Sequence, residues 1–259
     1  MTDSLSRRGI LAPVASGERD PAFVLVHSPL VGPTSWLPVA HELERRGRAA
    51  VVPSLLGVAE APAPQWRHVP DAVRAATSHL QQPMVLVGHS GAGLLLPVIA
   101  DRLTVEVAAL VFVDSFLPPA SGRLVLGPPA FMGQLRAMAT DRVLAPWSSW
   151  FGESAMRELV PDERLGAALE AEMPHLPLSY FDASVPLPDG WNRRRCAYLL
   201  LSADPYGQSA SEARALGWPV LEIPGVQHLA IATDPIPVTE ALLDLERGLE
   251  QSTRSGRRS

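Results

Sequence analysis

Residues 84–93 read Met84-Val85-Leu86-Val87-Gly88-His89-Ser90-Gly91-Ala92-Gly93. Apolar residues suited to a buried strand run into a cluster of very small residues. An apolar stretch with helical character, Gly91 to Leu103, follows. A serine at such a junction sits on a tight, strained bend. Its neighbours must be tiny, because strand and helix almost touch there. The bend holds the hydroxyl above the sheet edge. The N–H of Gly91, at the helix start, is then positioned to stabilise negative charge on a substrate oxygen. Small residues around a serine also suit an ordinary helix N-cap; the strand before and the helix after favour the nucleophile.

The same alternation extends in both directions. Strand-like apolar runs occur at Ala22–Val26, Ala49–Val52, Met84–Val87, Val107–Val113, Ala197–Leu201 and Val220–Ile223. Helical spacing falls between them, at Trp36–Leu43, Val69–Leu80, Gly91–Leu103 and Ser209–Leu216, and a last helix is expected over Pro237–Leu249. Strands apolar on both faces, alternating with helices, predict an α/β protein with a mostly parallel central sheet covered by helices on both faces. Crossovers are expected to be right-handed. Gly9–Val14 could add an edge strand. The alternation breaks over residues 118–195, a stretch rich in Pro, Trp and Met, with helical pieces such as Leu165–Glu172, and too long for an ordinary loop. It reads as a helical lid inserted after the fourth strand. The division expected is therefore a core of residues 21–117 and 196–250, a cap of 118–195, a partly flexible N-terminus over 1–20 and a disordered tail over 251–259.

At Gly88-x-Ser90-x-Ala92 the chain resembles the α/β-hydrolase superfamily, whose elbow reads Gly-x-Ser-x-Gly, with Ala92 a tolerated variant at the last position. The resemblance spans roughly residues 22–249. It implies an α/β-hydrolase fold and a serine nucleophile served by a histidine on the loop after the last strand. A serine hydroxyl needs a base to take its proton. Of seven histidines, His228 lies just past the last strand, at the sheet edge that also carries Ser90, since parallel strands share their C-terminal ends. Leu229–Pro235 looks like the stretch after that histidine in the plant esterase and hydroxynitrile-lyase branch. His89, beside the nucleophile, is expected to point away and be structural, and His27 to brace its loop. The others, His41, His68, His79 and His175, carry no motif and no metal-ligand spacing.

Two aspartates compete for the role of orienting His228. The superfamily usually places the acid after the next-to-last strand, in a Gly-x-x-Asp pattern. Here that region reads Leu201-Ser202-Ala203-Asp204-Pro205, so Asp204 falls one residue early, and a one-residue slip turns a side chain the wrong way. Asp114, ending the fourth strand, matches the minority arrangement but also suits a turn. Asp234 is a weaker third choice, better read as a helix-start residue before Pro235. The second departure is at His27-Ser28-Pro29-Leu30, where the superfamily has His-Gly-x and draws an oxyanion donor from the N–H of x. Pro29 has no N–H. The Ser28 hydroxyl or the Leu30 N–H could substitute, or the reaction could do without a full oxyanion hole. Phe116, Trp147 and Trp150 are expected to line an apolar pocket with Leu117.

Bulk properties set the frame. Charged residues make up 19% and apolar residues 47%, as for an ordinary globular protein, and the net charge is −5. With no basic stripe in the body of the chain, nucleic acid is not an expected partner. No signal peptide and no apolar run of about 20 residues is read. The lone Cys196 is read as a small buried apolar residue, and a cytoplasmic location follows as the default. No cofactor and no metal is expected. The partner expected is a small hydrophobic substrate, and the chain a monomer or homodimer. The leading functional expectation is hydrolysis of an ester or similar acyl bond. The alternatives are lyase or cyclisation chemistry on a natural-product intermediate, or ligand binding without catalysis.

Overall fold

A computed structural model describes residues 20–127, 129–152 and 155–256. Six strands form one sheet in the order β2-β1-β3-β4-β7-β8, every neighbouring pair parallel. They are β1 (Ala22–Val26), β2 (Ala50–Val51), β3 (Met84–His89), β4 (Val107–Val113), β7 (Cys196–Leu200) and β8 (Val220–Glu222). Each coincides with a predicted strand to within two residues at either end. The predicted edge strand at Gly9–Val14 lies outside the described residues. Cys196 opens β7 instead of preceding it and is buried there.

The strands are apolar throughout because each residue serves one of two cores. Val24, Leu86, Leu110, Phe112 and Tyr198 face one core, with side chains from α2 (His68–Thr77), α3 (Leu96–Arg102) and α8 (Ala203–Ala215). Phe23, Leu25, Val85, Val87, Val111 and Leu199 face the other, against α1 (Leu37–Arg45), α9 (Ala230–Thr233) and α10 (Pro235–Gly256). The period of two along a strand thus feeds two helical layers, which a one-faced sheet would not need.

Two expectations about the chain's later parts change. Residues 118–195 are not purely helical. Between β4 and β7 they hold α4 (Pro129–Met138), α5 (Ala155–Leu159), α6 (Glu163–Glu170) and α7 (Leu178–Phe181). They also hold an antiparallel pair, β5 (Arg123–Val125) with β6 (Ser184–Pro186). Three-residue strands are too short to leave a period-two signal among prolines. The tail predicted from Gln251 also differs, since α10 continues to Gly256. No glycine or proline interrupts Leu249–Ser255, so nothing local stops the helix before Gly256. The rest of that tail and residues 1–19 of the N-terminus lie outside the described residues.

A third cluster matters for the site. Met156, Val160, Leu169 and Met173 of the inserted segment pack with Val31, after β1, and with Leu229, beside His228. Loops from both halves of the core are thereby tied to the insertion. Among the described residues no helix is long and apolar enough to cross a membrane.

Candidate active site

The bend after β3 has the geometry its sequence demands. Ser90 adopts a left-handed backbone with φ 54°, a conformation that costs a non-glycine residue about 1–3 kcal/mol unless the surroundings enforce it. Here they do. A Cβ on Gly88 would lie 2.8 Å from Leu96 Cδ2 and 3.0 Å from Gly93 Cα, and one on Gly93 would meet Ser115 Oγ at 2.1 Å. The expected helix from Gly91 begins instead as a 3₁₀ turn, Ser90–Leu95, before α3. Two glycines with low helix propensity and Pro97, which cannot donate its N–H, explain the tighter start.

His228 lies on the loop between β8 and α9. Its Nδ1 is 2.9 Å from Asp114 Oδ2. Asp114 follows β4 with φ 43°, another left-handed residue, and is completely buried. Its Oδ1 accepts the N–H groups of Leu201 (2.7 Å) and Ser202 (3.0 Å). The Ser202 hydroxyl donates to Oδ2 in a short contact. Burial alone would push the Asp114 carboxyl up. The donors from His228 and Ser202 more than offset it and hold the group below its ordinary value. Tyr198 fixes the same turn, its hydroxyl donating to Ser115 O at 2.7 Å and accepting from Ser115 N at 3.1 Å.

Of the two aspartates, therefore, Asp114 meets the imidazole. Asp204 does not; it is exposed, lining the cavity at the first turn of α8, where its backbone is non-helical. The slip of one residue has the predicted consequence. Ser202, at the glycine position of the usual pattern, turns inward to hold Asp114. Asp234 bonds locally, accepting from Thr233 Oγ1 at 2.6 Å.

His89 is structural but does not point away from the site. Its Nε2 donates to the carbonyl of His228 at 3.0 Å, and the two rings lie 4.4 Å apart. Its Nδ1 is buried without a partner. Burial pulls its pKa down to about 3, so the ring stays neutral. Because β3 alternates sides, His89 sits opposite Ser90's outward turn yet reaches the backbone of the histidine loop. His27 braces its own loop, with Nε2 accepting from Leu55 N–H at 2.9 Å and Nδ1 donating to Ser28 O at 2.8 Å. It too is lowered by burial.

The loop after β1 approaches the bend closely. A Cβ on Gly91 would lie 3.3 Å from Ser28 Oγ and 3.7 Å from Pro29 Cδ. The Leu30 N–H donates to Ser28 Oγ at 3.3 Å, so it is engaged inside the loop, and the hydroxyl proton of Ser28 is left free to donate elsewhere. Ser28 is buried and shares a small cleft with Ser90 and His228.

Ser90, Gly91, Leu30 and His228 line a cavity of about 740 Å³. Its walls are aromatic: Phe116, Trp147, Trp150, Phe181 and, unforeseen from sequence, Phe131 and Tyr206. Among the described residues no arginine lines it, and Asp204 is the one carboxylate. Such a chamber suits an apolar ligand without negative charge. Tyr206 is the residue beside His228 that sequence reasoning missed. Its ring stacks on His228 at 5.1 Å and 14°. Its place two residues past an expected acid, ahead of the helix predicted over Ser209–Leu216, carried no motif to mark it.

Comparison with known proteins follows the same lines. A profile described as the alpha/beta hydrolase family matches residues 23–241. A carbendazim hydrolyzing esterase from Nocardioides sp. (strain SG-4G) is 27% identical over 135 residues, covering 46% of this chain and 56% of that protein, so the match spans little more than half of the relative. Two solved structures share the fold at low identity. An extracellular alpha/beta-hydrolase from a Paenibacillus species, described as homologous to tobacco salicylic acid binding protein 2, has a TM-score of 0.66 at 17% identity, over 87% of this chain and 98% of its own. Polyneuridine aldehyde esterase has a TM-score of 0.65 at 18% identity, over 88% and 99%.

Proposed function

This chain belongs to the alpha/beta hydrolase family, and from that premise we propose that it is a cofactor-free serine esterase acting on a small, apolar, uncharged molecule. Ser90 is the nucleophile, His228 its base, and Asp114 the acid that orients the base. The observation carrying this reading is the contact of His228 Nδ1 with Asp114 at 2.9 Å, on the cavity that Ser90 also lines.

Ser90 Oγ attacks the ester carbonyl as its proton passes to His228. The N–H of Gly91 and the hydroxyl of Ser28 donate to the developing oxyanion, Ser28 substituting for the backbone donor that Pro29 removes. Each such donor is worth on the order of 3 kcal/mol in the transition state. The intermediate collapses, the alcohol leaves with the proton from His228, and water then releases the acyl group by the same cycle. Asp114 holds Nδ1 protonated, so the other ring nitrogen is left to accept. Residues 118–195 act as the cap that supplies most of the aromatic walls and excludes water.

An acylating fluorophosphonate probe tests this directly. Intact mass and peptide mapping are expected to find one adduct, on Ser90, absent in Ser90→Ala. Folded protein that resists labelling contradicts the proposal. One observation favours a second reading. With Pro29 lacking an N–H and the Leu30 N–H engaged, the oxyanion site has no second backbone donor on this loop. That suits lyase or cyclisation chemistry run by His228 without an acyl-enzyme. Under it, Ser90→Ala keeps measurable turnover and no acyl adduct forms.

A further inference from the structure

We propose that the phenol of Tyr206 is a fourth member of the reaction centre, donating a hydrogen bond to the oxygen of the departing alcohol. The proposal rests on the serine-esterase reading above and adds to it a catalytic residue.

Two ring contacts and a shared cavity locate the side chain. Its ring lies nearly parallel to the His228 imidazole, at 14° and 5.1 Å between centroids. Phe116 packs against it at 5.2 Å. It lines the cavity that Ser90 and His228 share. Two aromatic neighbours thus hold the phenol in the cavity of the reacting hydroxyl.

The surroundings of Ser90 have two sides. Ser28 and Pro29 lie against Gly91, and that is the side of the oxyanion donors. Tyr206 does not line the small cleft that Ser28 shares with Ser90 and His228, and instead stacks on the imidazole. In acylation the base must hand its proton to the leaving oxygen, so that oxygen departs on the imidazole's side. A phenol stacked on that imidazole, in the cavity Ser90 lines, is in reach of it. Burial pushes the phenol up to about 12, so at working pH it remains protonated and acts as a donor to developing negative charge.

The step balances without a further reagent. The bond from the carbonyl carbon to the alcohol oxygen breaks, and its electron pair stays on that oxygen. The proton that completes the alcohol comes from His228. Tyr206 keeps its own proton and stabilises the charge through the hydrogen bond alone. The contribution therefore scales with how much charge the leaving oxygen carries.

The test is Tyr206→Phe, which keeps the ring and its stacking, measured as kcat/KM on p-nitrophenyl, trifluoroethyl and ethyl butyrate. The loss is expected to grow along that series. It should be less than about threefold for the p-nitrophenyl ester, whose leaving group needs little help, and about 10- to 100-fold for the ethyl ester. An equal loss on all three esters overturns the proposal, since a disturbed fold or pocket would have that effect. So does an unchanged rate on the ethyl ester. Fluorophosphonate labelling of the wild-type chain separates the two readings. If Ser90 labels and the series is flat, only the role of Tyr206 fails. If the wild type neither labels nor cleaves any of the esters, the esterase reading fails and this one with it.

Discussion

Replacing Asp114 by asparagine is the sharpest perturbation the site offers, because the surrounding donors dictate how the amide must sit. Asp114 Oδ1 accepts two backbone N–H groups, from Leu201 at 2.7 Å and Ser202 at 3.0 Å. An amide NH₂ placed there would face two donors that cannot turn away. The asparagine oxygen is therefore held on that side, and its NH₂ takes the position of Oδ2, facing His228 Nδ1 and the Ser202 hydroxyl. Ser202 can rotate and accept. His228 can respond only by giving up its Nδ1 proton and carrying it on Nε2, the wrong tautomer for a base serving Ser90. A like change in a Ser-His-Asp triad elsewhere costs about 10⁴ in kcat. With the tautomer inverted, a loss of about 10³–10⁴ is expected, or about 4–5.5 kcal/mol of barrier. The retained N–H bonds should keep the stability cost near 1–3 kcal/mol, so the protein still folds. The assay is kcat on a p-nitrophenyl ester, beside the rate of fluorophosphonate labelling and a thermal melt. Asp204→Asn is the control, expected within about threefold of wild type because Asp204 is an exposed carboxylate apart from the imidazole. A folded Asp114→Asn with kcat within tenfold of wild type would refute the reasoning, as would an equal loss in Asp204→Asn.

Ser28→Ala is expected to lower kcat by on the order of 100-fold with little change in KM, since it removes a donor used only in the transition state; steady-state kinetics that show no drop in kcat exclude Ser28 as that donor. Gly93→Ala should destabilise the fold by about 1–3 kcal/mol through overpacking, because its Cβ would land 2.1 Å from Ser115 Oγ; an unchanged melting temperature counts against the close approach at the bend. Acid should weaken the protein before any carboxylate is titrated. His89 is held down to about 3, from 6.5, and His27 is lowered as well, both chiefly by burial. The unfolded chain takes up the His89 proton as pH falls below 6.5 and the folded protein does not until about 3, so this histidine lowers stability by up to about 1.4 kcal/mol per pH unit across that window, and His27 acts in the same direction. Urea midpoints followed across that window should fall, and His89→Asn should flatten the slope.

How far the sequence reaches can be judged from particular residues. All six strands of the main sheet were legible, because a strand buried on both faces is an uninterrupted apolar run bounded by turns, a local property. Ser90 and His228 were legible for a related reason. The small residues at 88–93 record a close approach of backbone to backbone, and the position of His228 after the last strand follows from all strands ending at one edge. The β5–β6 pair and Tyr206 left no such trace. The pair is too short to show a period, and Tyr206 occupies an ordinary helical position whose importance lies in what it faces.

Residues 22–249 thus determine by local pattern alone that the chain builds a parallel sheet covered on both sides, with a serine on the bend after its third strand and a histidine beyond its last. Which carboxylate serves that histidine was decided in three dimensions. Asp114 and Asp204 stand at the ends of adjacent strands, and sequence spacing fits both to within a residue. The outcome turns on where two backbone N–H groups and the Ser202 hydroxyl converge, which is at Asp114. A buried carboxylate is stable only where donors meet it, and donors brought together from residues 87 and 88 positions away in the chain exist as a group only once the strands have paired.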